Sequence, residues 1–131
     1  MLTFEQTQEA LSRIVEELPE QIFERLNGGI ILLPETKLHP KRVGDDLYIM
    51  GEYHYDPQGL GRYITIYYGS LVQAFGYASE DRQIKELRDV LHHELIHHLE
   101  HMAGDKSLEK YDNERMSRYL QSHRPDEDGI E

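Results

Sequence analysis

The chain has 131 residues, room for one domain of ordinary size. Its 14 basic and 25 acidic residues give a formal net charge of −11, which argues against nucleic acid or an anionic membrane as partner, since either surface would repel it. Cysteine is absent, so no disulfide staples the fold and no thiolate serves as nucleophile or metal ligand, and histidine is the outlier, with His92, His93, His97, His98 and His101 crowded into one stretch.

Thr3 caps an amphipathic helix predicted over residues 3–18, in which Phe4, Ala10, Leu11, Ile14, Val15 and Leu18 recur at helical spacing. The N-terminus has neither a basic region nor an apolar stretch behind it, as a signal peptide would. Pro19 opens a second short helix, Glu20 to Leu26, which Asn27-Gly28-Gly29 ends. Ile30 to Leu33 reads as a short buried strand, too short to span a bilayer, and the expected location is the cytoplasm. Residues 34–46 read as an ordered loop.

Leu47 to Tyr55 is a predicted strand, Asp56 to Gly61 a turn, and Arg62 to Tyr68 the second strand of the resulting hairpin. One or two helical turns follow over Ser70 to Phe75. Ser79, with Glu80 and Asp81 behind it, caps a long helix to about Met102, with Gly104 as its C′ residue. A last helix is expected over Ser107 to Gln121, and residues 125–131 read as an acidic disordered tail. These elements predict a single α+β domain over residues 1–124. Its sheet has three to four strands, mixed or antiparallel, built from 30–33, 47–55 and 62–68, with helices on one face.

The chemistry lies on the long helix. His93, Glu94 and His97 spell H-E-x-x-H. Residues four apart on a helix lie about 40° apart around the axis and about 6 Å along it, so both imidazoles can lean onto one metal ion. Glu94 can then reach a water at that metal without being a ligand. On the helical wheel Ile84, Leu91, Leu95, Leu99 and Met102 form the apolar stripe. Arg82, Lys85, Glu86, Asp89 and Glu100 mark the solvent side, with the two histidines beside it. A wet histidine-rich helix without metal is the bland alternative. A purely structural zinc site lacks the cysteines that usually complete one.

His97, Glu100 and His101 also spell the inverted pattern H-x-x-E-H, so two metal frames share His97. His93 and His101 are about 12 Å apart along the axis and cannot bind one ion. The first frame is preferred, because the second sits where the helix is ending. His92 and His98 are expected at the surface or supporting the ligands, and His54 as a plain strand residue. Asp105, after the Gly104 turn, is the preferred third ligand, although it would also cap the last helix. Glu109 is the alternative.

His93-Glu94-Leu95-Ile96-His97-His98, followed by the Gly104-Asp105 turn and Leu108, resembles small bacterial zincin-like metallopeptidases with a minimal matrix-metalloprotease-like domain. Leu18-Pro19, Leu26 to Gly29, Leu47 to Tyr53 and Gly61 to Ile64 extend the resemblance over most of residues 3–112. It implies a metal helix packed below a small sheet, zinc as cofactor, His93 and His97 as ligands, Glu94 as base and a carboxylate after the turn as third ligand. In that family the carboxylate follows the second histidine by about six residues. Asp105 lies two residues further on, which leaves the third ligand open.

The expected activity is therefore zinc-dependent hydrolysis of a peptide or protein substrate, with the peptide lying along an exposed strand edge. Tyr53, Tyr55, Tyr67 and Tyr111 are candidate donors to the oxyanion. The alternative from another class is a non-catalytic metal-binding or protein-interaction module. Metal-dependent RNA hydrolysis is disfavoured by the charge.

Overall fold

The computed structural model describes residues 1–40, 47–104 and 120. The first helix, α1 (Phe4–Glu16), begins with a capping box: Gln6 N donates to Thr3 Oγ1 at 3.1 Å and Thr3 N donates to Gln6 Oε1 at 2.9 Å. Its buried face carries Ala10, Leu11 and Ile14. Pro19 leads into a single 3₁₀ turn, Glu20–Phe23, shorter than the helix expected to Leu26, which buries Ile22.

The strands are β1 (Gly29–Leu33), β2 (Lys37–Leu38), β3 (Tyr48–Ile49), β4 (Gly51–Asp56) and β5 (Gly61–Tyr67). They form a mixed sheet in the order β1-β5-β4, with β1 parallel and β4 antiparallel to β5, and a separate β2-β3 pair. The single strand expected over 47–55 is thus two. Ile49 and Met50 are both buried, which breaks the alternation of a flat strand, and at Met50 the chain passes from pairing with β2 to pairing with β5. The stretch expected as loop contributes β2 within it. The β4–β5 turn closes at Gly61, whose φ of +73° favours glycine.

Two helices follow directly: α2 (Tyr68–Phe75) and the 25-residue α3 (Glu80–Gly104). The core gathers Leu11 and Ile14 of α1, Ile64 and Ile66 of β5, and Leu87, Leu91, Leu95 and Leu99 of α3. Leu120 joins it with no exposed surface. The expected α+β class, with a small mixed sheet and three described helices, is what the chain adopts. The other residues of the expected last helix, the acidic tail and the expected boundary at 124 lie outside the described residues.

One expectation for α3 is corrected. Glu86 and Asp89, expected on the solvent side, are 3 % and 1 % exposed. The helix is packed by α1, α2, β4 and β5, so its polar side is not wholly in water. Cations one turn earlier face these carboxylates: Arg82 Nε stands 2.7 Å from Glu86 Oε1, and Lys85 Nζ stands 3.8 Å from Asp89 Oδ2.

Candidate metal centre and its cleft

Alternation along β4 turns Gly51, Tyr53 and Tyr55 toward α3, and Glu52 and His54 to the other face. Gly51 is the point of closest approach. A Cβ there would stand 2.8 Å from Val90 Cγ1 and 3.2 Å from Glu94 Cγ, so only glycine lets the strand lie this low over the helix. An open cleft results, lined by Ile49, Gly51, Glu52, Tyr53, Glu94, His97 and His101. Among the described residues no strand pairs with the outer edge of β4, which forms one wall.

The helix brings two predicted ligands together. His93 Nε2 and His97 Nε2 are 3.1 Å apart, with ring centroids separated by 4.6 Å. Two nitrogens each about 2.0–2.1 Å from one tetrahedral zinc ion would be roughly 3.3 Å apart, so this donor pair fits the ion implied by the resemblance. Glu100 Oε1 is 3.5 Å from His97 Nδ1, on the side of the ring that would carry a proton while Nε2 binds metal. Glu94 is 2 % exposed yet lines the cleft. Among the described residues no third histidine or carboxylate completes a group around the pair. The expected third ligands, Asp105 and Glu109, lie outside the described residues.

His101 is placed differently. Arg62 Nε donates to its Nδ1 at 3.2 Å, and its ring packs 4.8 Å from that of Tyr55. His92 and His98 are both buried, at 3 % and 0 % exposure, so neither is a surface residue. His98 ties three elements together. Its Nε2 lies 2.8 Å from the Glu24 carbonyl, which can only accept, so Nε2 carries the proton and Nδ1 is the acceptor. Tyr53 Oη, 2.9 Å from that Nδ1, must therefore donate to it. Burial pushes the His98 pKa below its ordinary 6.5, against the pull of the Glu24 carbonyl, and the nearby Arg62 charge adds to the lowering.

These bonds remove two candidate oxyanion donors. The Tyr53 proton is directed into the core. Tyr67 Oη donates to Glu52 Oε1 at 2.5 Å on the opposite face of the sheet. Tyr55 is half exposed, and Tyr111 lies outside the described residues. His54, a plain strand residue as expected, sits on that opposite face, with Nε2 2.8 Å from Thr65 Oγ1 and its ring stacked on Tyr63. Glu52 also meets Lys37 Nζ at 2.7 Å. Arg62 and Tyr53 are not legible in the sequence as a supporting pair, because their neighbours on α3 are some forty positions distant.

No helix among the described residues is long and apolar enough to cross a membrane. No family model and no curated protein matches the chain. Among solved structures, a conserved hypothetical protein from Thermus thermophilus is 33 % identical, with a TM-score of 0.67, over 79 % of this chain and 99 % of that one. With identity at that level across essentially the whole of the thermophile protein, the chain belongs to the same family as that protein.

Proposed function

We propose that this chain is a zincin-like, metal-dependent peptide hydrolase. The observation that carries the reading is the convergence of His93 Nε2 and His97 Nε2 at 3.1 Å, beside a buried glutamate and a strand edge left unpaired among the described residues. Zinc held by His93 and His97, with Asp105 or Glu109 as third ligand, would polarise a scissile carbonyl and acidify a water.

The protein's own residues do the rest. The outer edge of β4 offers backbone donors and acceptors to an extended peptide, which adds to the sheet and lies across the α3 histidines. Glu94, withdrawn from bulk solvent, takes a proton from the attacking water as its oxygen bonds to the carbonyl carbon. Glu94 then gives that proton to the nitrogen as the carbon–nitrogen bond breaks. Glu100 holds the His97 ring so that Nε2 stays unprotonated. A non-catalytic module would have no use for a buried base beside the two histidines.

The test is Glu94→Gln in zinc-loaded protein, assayed on a mixture of extended peptides near neutral pH with a chelator control. Gln keeps shape but cannot take the proton, so the fold and metal should persist while the rate falls by a factor of about 100 to 10,000. Equal cleavage by wild type and variant, or none by either, would transfer the assignment to the binding module.

A further inference from the structure

Of the four tyrosines expected as oxyanion donors, Tyr53 and Tyr67 direct their protons elsewhere. We infer that His101 is a further catalytic residue, donating its Nε2–H to the carbonyl oxygen of the bound peptide as negative charge develops there. This inference rests on the hydrolase reading and adds a group to it.

A guanidinium only donates, so the 3.2 Å bond from Arg62 Nε makes His101 Nδ1 an acceptor. The ring's proton is then on Nε2. Tyr53 Oη is also near that Nδ1, at 3.4 Å, but its proton is committed to His98, so Arg62 is the group that sets the tautomer. Arg62 is itself held firmly. It is 8 % exposed, and its Cζ lies 4.8 Å from the centroid of the Tyr55 ring. Tyr53 and Tyr55 pack against the His101 ring at centroid distances of 5.7 and 4.8 Å, which fixes its plane.

His101 lines the same cleft as Glu94 and His97, one helical turn beyond His97, or about 6 Å further along the axis. Among the described residues nothing accepts a hydrogen bond from its Nε2. A donor with a set tautomer, held by packing on a residue that lines the reacting group's cleft, is what stabilisation of a developing oxyanion requires. No proton is transferred to or from His101. It contributes a hydrogen bond that strengthens as the carbonyl becomes a tetrahedral oxyanion. Arg62 acts through His101 and is a positioning residue.

Two measurements decide the matter. The first reads the tautomer and ligand contact without turnover: ¹⁵N spectra of the histidine rings, with a phosphonamidate peptide as tetrahedral probe. His101 should appear with Nε2 protonated and Nδ1 bare, and its Nε2 resonance should move when the probe binds zinc-loaded protein. The second is kinetic. His101→Ala should keep its zinc and lower kcat about 100- to 1,000-fold with little change in KM, and His101→Gln, which retains an N–H donor, should recover part of the loss. Arg62→Met should free Nδ1, mix the tautomers and give a smaller loss of kcat with zinc retained.

Loss of zinc in His101→Ala would make His101 a ligand and overturn the inference. So would an Nδ1-protonated ring, an Nε2 resonance that ignores the probe, or a kcat in His101→Ala within about three-fold of wild type. If the wild type cleaves nothing, the hydrolase reading falls by itself, and the spectra alone then decide whether His101 donates to an anionic oxygen in this cleft.

Discussion

Gly51 is where the fold and the proposed chemistry press on each other most directly, and Gly51→Ala exposes the contact. The new methyl would stand 2.8 Å from Val90 Cγ1 and 3.2 Å from Glu94 Cγ, with the Thr65 carbonyl oxygen at 3.4 Å. Carbon pairs pack at about 3.5–4.0 Å, so Val90 must yield by roughly 0.7 Å and Glu94 by a few tenths. Val90 is fully buried and Glu94 is 2 % exposed, so neither can swing into water. Overpacking of this kind costs about 1–3 kcal/mol, and each kcal/mol lowers the Tm of a domain this size by roughly 3–6 °C. A base displaced by a few tenths of an ångström should cost about ten-fold in kcat, less than the roughly hundred-fold loss from a 1 Å error, with zinc binding unchanged.

The control is Val90→Ala, which removes the offending Cγ1 and alone costs about 2 kcal/mol. In the double variant the methyl has room, so the two penalties should fall short of additivity by about 1 kcal/mol or more. Thermal and urea unfolding of all four proteins, with and without zinc, measures this. Penalties that add to within about 0.5 kcal/mol would mean that β4 does not lie against Val90 as argued, and would refute the account of Gly51.

Further outcomes concern metal and pH. His93→Ala or His97→Ala should abolish stoichiometric zinc by metal analysis, whereas Asp105→Ala should weaken affinity by a factor of about 10 or more if it is the third ligand, and only stability by about 1 kcal/mol if it is a cap. Retained zinc in Asp105→Ala with loss in Glu109→Ala would give the role to Glu109. Burial pushes the Glu52 carboxyl up, but hydrogen bonds from Lys37 and Tyr67 and the Lys37 charge outweigh it and hold its pKa below the ordinary 4.5. A folded pKa below the unfolded one means stability that is full above about pH 4.5 and lost as acid protonates the group, so Glu52→Gln should flatten that acid limb in metal-free protein; an unchanged limb would refute the network's contribution.

Local chemistry is legible in the sequence. Thr3 with Gln6 marks a helix start, Asp56 to Gly61 marks a hairpin turn, and apolar spacing through Leu91, Leu95 and Leu99 marks the long helix, because each depends on neighbours within a turn or two. The pairing of His93 with His97 is likewise a property of one helix. What fails to show depends on packing between distant elements. The break at Met50 reflects a strand exchanging partners, and the burial of Glu86 and Asp89 reflects a helix covered on more sides than one apolar stripe records. The stacking of β4 and β5 over α3, which brings Arg62 and Tyr53 to His98 and His101, has no local signature at all.

That stacking is also what separates four histidines of α3 into different tasks. On a helix His93, His97 and His101 form a single row, each about 40° around from the last, so helical geometry alone offers two equivalent metal frames. The symmetry is broken from outside the helix. Arg62 of β5 takes His101 Nδ1, which leaves the proton on Nε2, and a protonated nitrogen cannot bind metal. His98, about 100° around from His97, points into the protein and is spent on the Glu24 carbonyl and Tyr53. His93 and His97 keep their Nε2 atoms directed at one point in space. If the proposed reading holds, the register of the β4–β5 hairpin over α3, rather than the order of letters in the motif, is what would select one frame for metal and leave the third histidine of the row as a donor beside it.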